Sequence, residues 1–215
     1  MLTSLTPALP PGTTAGDVLF LYAKGNNTVD PTWSAPSGWT ELGSRVAAST
    51  GLGGAQNNAL QLWYKTAGAS ETAPTVNLTS GAGSGFGRGW QTAVSGYQPS
   101  SPSFEFDLVT ACVDYSGAAT FTGETLSVGR TATTVTFLAN IGVTGTVTAT
   151  NAQGFTREFV GTVIPAAAWY DKDTTAGTVS LPDFATPTYS HLAKVFAFDR
   201  TVATGGEWGV GQVRW

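Results

Sequence analysis

Pro11-Gly-Thr-Thr-Ala-Gly-Asp-Val-Leu-Phe-Leu-Tyr-Ala23 is a turn followed by a strand, and Asp17 is its only charged residue. Gly16-Asp17 reads as turn plus strand entry, with the Asp side chain free to hydrogen-bond local backbone. Val18-Leu-Phe-Leu-Tyr-Ala23 is apolar at consecutive positions, the pattern of a strand buried on both faces. Two further segments repeat the logic. In Ala35-Pro-Ser-Gly-Trp-Thr40, Pro36 fixes φ at the second turn position, Gly38 fits at the fourth, and Trp39 opens a strand as a core residue. Leu60-Gln-Leu-Trp-Tyr-Lys-Thr-Ala-Gly68 then alternates Leu60, Leu62 and Tyr64 on one face.

The same period of two recurs along the chain. Phe104, Phe106 and Leu108 alternate with Glu105 and Asp107, Val135 pairs with Phe137, and Phe196 with Phe198. Strands are expected near 17–24, 39–48, 58–66, 75–79, 88–97, 104–114, 124–129, 133–140, 145–150, 155–162, 177–181 and 192–200. Turn-rich linkers separate them: Thr50-Gly-Leu-Gly-Gly, Ser80-Gly-Ala-Gly-Ser-Gly and Gln98-Pro-Ser-Ser-Pro. No helical periodicity stands out. The fold class expected is all-β, an antiparallel β-sandwich, jelly-roll-like, with loop-rich connections. Residues 1–201 form one domain in this reading, with the Pro-rich segment at 98 a loop. Residues 202–215 form a Gly- and Trp-containing C-terminal tail docked on a partner. Thr13-Thr-Ala-Gly-Asp-Val and Thr174-Thr-Ala-Gly-Thr-Val echo one another, too little for a repeat.

Composition narrows the function classes. The 215 residues are only 11% charged, with 27 glycines and a net charge of −4; a typical soluble domain carries roughly 25% charged residues. A surface so poor in charge suits burial against partners. The Lys and Arg residues are scattered, so no basic footprint for nucleic acid or anionic membrane is expected. No apolar run approaches the ~18 residues of a membrane helix. Pro7, Pro10 and Pro11 interrupt the start, which also lacks a basic region, so no signal peptide is expected. Cys112, the single cysteine, reads as a small buried hydrophobe.

No pattern assembles into a catalytic centre. His191 is the only histidine, Ser190 beside it would point to the opposite face of a strand, and no nucleophile elbow occurs, so His191 reads as structural. The alternating glycines from Gly81 to Gly89 lead into a strand rather than a helix, and so read as a hairpin loop instead of a phosphate cradle. Asp171-Lys-Asp173 with Asp183 could bind Ca²⁺, but the spacing fits no EF-hand loop and a solvated turn is favoured. Asn26-Asn-Thr28 and Asn77-Leu-Thr79 are chance sequons. No catalytic, metal or cofactor residue is assigned. Trp33, in a polar loop with Asn26, Asn27 and Asp30, is the candidate glycan-contact cluster, since an exposed Trp stacks on sugar rings. The tail residues Trp208, Val210, Val213, Arg214 and Trp215 are the candidate assembly interface.

Together the Pro11–Asp17 entry, the strand to Ala23, Pro36-Ser-Gly-Trp39, Leu60–Gly68 and Trp90–Tyr97-Gln-Pro resemble a β-sandwich domain of minor tail and other virion-surface proteins of tailed bacteriophages. In the second half, Asp199-Arg-Thr and Gly209-Val-Gly-Gln-Val-Arg-Trp215 look like tail-associated proteins of actinobacterial phages. The resemblance implies a non-enzymatic structural virion component, a minor tail protein at the tail tip or surface. Its partners would be other tail or capsid proteins and further copies of itself, with a trimer by analogy. It would be made in the host cytoplasm, located in the virion, and neither membrane-inserted nor bound to nucleic acid. Two alternatives stay open within that setting: a receptor-recognition module binding host cell-surface glycan, and a capsid decoration protein. A polysaccharide hydrolase is a third class. It needs two carboxylates roughly 5–9 Å apart, and the acidic residues here are few and dispersed.

Overall fold

The computed structural model describes residues 3–27, 29–49, 57–80, 89–97, 104–107, 119–140, 148–161, 166–186, 191–198 and 209–213. These form strands β1 (Ser4–Leu5), β2 (Val18–Asn27), β3 (Thr32–Ser34), β4 (Thr40–Glu41), β5 (Val46–Ser49), β6 (Asn57–Thr66), β7 (Val76–Ser80), β8 (Gly89–Tyr97) and β9 (Phe104–Asp107). The second half adds β10 (Ala119–Phe121), β11 (Thr125–Val128), β12 (Ala132–Asn140), β13 (Ala149–Asn151), β14 (Thr156–Gly161) and β15 (Ala166–Thr174). It ends with β16 (Gly177–Ser180), β17 (Asp183–Thr186), β18 (His191–Phe198) and β19 (Gly209–Val213). No helix occurs among the described residues.

Two large antiparallel sheets dominate. Sheet I has the order β19-β8-β2-β6-β4, with β5 also paired to β6, and sheet II the order β14-β15-β12-β18-β9. Between them lies one shared core. Val18, Phe20 and Tyr22 of β2 and Leu60 and Leu62 of β6 meet Val135 and Phe137 of β12, Trp169 of β15, and Phe196 and Phe198 of β18. Phe20 stands at the crossing point, with ring centroids 5.7 Å from Trp169, 5.2 Å from Phe196 and 5.1 Å from Phe198. Tyr22 and Phe137 approach to 4.6 Å.

Alternation sends the other residues of the same strands outward, where smaller sheets cover them. Leu19, Leu21 and Ala23 pack with Trp39, Trp63, Leu5 and Val76, beneath the sheet β1-β7-β3. Ala168, Tyr170, Val195 and Ala197 pack with Leu126, Val128, Val179 and Phe184, beneath the sheets β11-β16 and β10-β17-β13. Sheet I is thus buried on both faces along β2. This is why Val18–Ala23 is apolar at every position.

The expected all-β antiparallel class holds, with sandwich-like stacking. Sheet I draws its strands from before residue 98, apart from β19, and sheet II draws all of its strands from after it. These orders do not establish a jelly-roll winding. The expected strand over 39–48 is two short strands, parted by Gly43 at φ 65. Asp171-Lys-Asp173 is not the solvated turn expected: it lies within β15, inside sheet II, and Asp171 is buried. Cys112 lies outside the described residues.

Candidate functional site

The turn that opens β2 is built by its own side chains. Asp17 N–H donates to Thr14 O at 3.2 Å, and Gly16 takes φ 96, the left-handed conformation such a turn requires. The Asp17 carboxylate accepts from Thr14 N–H at 2.8 Å and from Thr14 Oγ1 at 3.1 Å. Asp17 is therefore a structural cap. At the next turn Trp39 N–H donates to Pro36 O at 3.1 Å, and Gly38 has φ 78. Pro36 is thus the first turn residue and Gly38 the third, one position earlier than expected. Trp39 is buried in the outer core of sheet I, as expected.

The candidate glycan cluster is spread over strand and turn instead of one loop. Asn26 and Asn27 end β2, opposite Asn58 and Asn57 of β6. Asp30 follows in the connection to β3. Its carboxylate is gripped by the Arg45 guanidinium through two bonds of 2.8 and 2.7 Å, and Arg45 also donates to Pro31 O at 3.2 Å. This fork geometry ties Asp30 to the segment between β4 and β5. Trp33 belongs to β3, opposite Leu78, and rests half-buried on the outer core of sheet I. Val29, which precedes Asp30 in sequence, is 55% exposed.

The other candidates separate in space. Asp171 and Asp173 lie on β15 of sheet II, whereas Asp183 opens β17 of an outer sheet. Asp173 accepts from Thr133 Oγ1 at 2.7 Å and Asp183 from Gly123 N–H at 3.0 Å. Among the described residues no three His, Cys, Asp or Glu side chains gather as a metal site. His191 begins β18, opposite Asn140. Val210 and Val213 of the tail lie in β19, which pairs with β8 of the same chain. Over Gly209–Val213 the tail is thus an edge strand of sheet I. Trp208, Arg214 and Trp215 lie outside the described residues.

Two lysines were missed by the sequence reading. Lys24 of β2 and Lys194 of β18 are buried. Lys194 reaches across from sheet II and donates from Nζ to Leu42 O at 2.7 Å. Burial lowers its amine to about 8, against a smaller opposing effect of Glu41. Burial likewise holds the Lys24 amine well below its ordinary value. The signal was parity: Lys24 lies two residues after Tyr22, and Lys194 two before Phe196, each on the side of the shared core.

The class this arrangement defines is an all-β protein of stacked antiparallel sheets. No protein-family model, curated protein or solved structure matches the chain.

Proposed function

We propose that the chain is a non-enzymatic structural component of a tailed-phage virion, a minor tail protein that works by assembling with itself and with other virion proteins. The observation that carries the reading is how its carboxylates are used. Asp17, Asp30, Glu71, Asp173 and Asp183 each accept a hydrogen bond from the chain's own backbone or side chains. They brace turns and strand pairs, the work of a rigid building block. The charge-poor composition and the phage-like turn signatures of the first half support the same reading.

The test is direct. Purified tailed particles from the genome that encodes the chain should contain it by mass spectrometry and bind a gold-labelled antibody against it at the tail. Its absence from purified particles would overturn the proposal, and label confined to the head would favour capsid decoration.

The Arg45–Asp30 pair next to Trp33 in sequence supports glycan recognition as a second reading. Arg45 holds Asp30 next to exposed Val29, and half-buried Trp33 follows in β3; a preorganised surface loses less on binding. Trp33→Ala should then abolish binding to host cell-wall glycan while circular dichroism stays unchanged. Undiminished binding would remove Trp33 from any glycan site.

A further inference from the structure

We draw no further inference here: the strongest candidate, the exposed side of the sheet β1-β7-β3 with Ser4, Asn77 and Thr79, is an uncharged polar face, and nothing in the structure shows what covers it.

Discussion

Lys194 shows how much one side chain can set. Its amine bridges sheet II to Leu42 O, at the margin of sheet I, from a buried position. A folded-state value of about 8 lies below the ~10.4 of an unfolded lysine. Between those values the unfolded chain binds a proton that the folded protein lacks, so stability rises with pH across that window. Lys24, also shifted down by burial, acts in the same direction. Urea midpoints of the wild type should therefore increase from pH 8 to pH 10, and Lys194→Met should flatten the slope. An equal slope in the variant would show that the titration lies elsewhere. Thr136 is a second residue-scale case. Its hydroxyl is buried on β12 with no hydrogen-bond partner among the described residues. Thr136→Val keeps the shape and removes the orphaned group. It should stabilise the protein by about 1 kcal/mol in denaturant titration; a loss of stability would point to a hydroxyl partner in the folded state.

Elements succeed or fail here through their ends and their neighbours. The entry to β2 depends on Asp17, whose two bonds to Thr14 are charge-assisted. Asp17→Ala should cost about 2 kcal/mol, read as a lowered thermal midpoint, and Asp17→Asn should recover part of it. β2, β6, β7, β11, β12 and β18 were legible because alternation or β-branched runs mark them. β15 was not. Ala166-Ala-Ala carries no β-branched residue, and Asp171-Lys-Asp173 has the composition of a turn. What makes it a strand is the ladder on both sides: Ala132–Asn140 of β12 pairs along its whole length, and β14 flanks its other edge. Thr133 then satisfies Asp173, and Thr134 and Thr174 share a hydrogen bond of 3.0 Å. Those partners are 40 residues away in sequence. No local window contains them. Trp33 lies on a strand, and not in the loop expected, for a related reason, since its polar surroundings in sequence hide the outer core of sheet I it packs against.

At the scale of the molecule, the shared core joins the two halves of the chain. Phe20 of sheet I touches three aromatic rings of sheet II, so neither sheet keeps its inner face dry alone. Unfolding should be a single transition, with tryptophan fluorescence and far-ultraviolet circular dichroism giving coincident curves. Phe20→Ala should cost ~3–5 kcal/mol and move both curves together. Separated transitions would mean that the sheets are independently stable.

By itself the sequence determined the class of fold, because hydrophobic alternation with period two and frequent turn glycines are local properties that admit no helix-rich alternative. It determined the cores as well: a strand apolar on both faces demands a layer on each side, and β2 has one on each. Which strands neighbour which, the burial of Lys24 and Lys194, and the separation of Asp183 from Asp171 and Asp173 were decided only by the tertiary structure. Each depends on pairing between segments far apart in the chain, and the free energy of such pairing comes from burial and backbone hydrogen bonds that many sequences could make equally well.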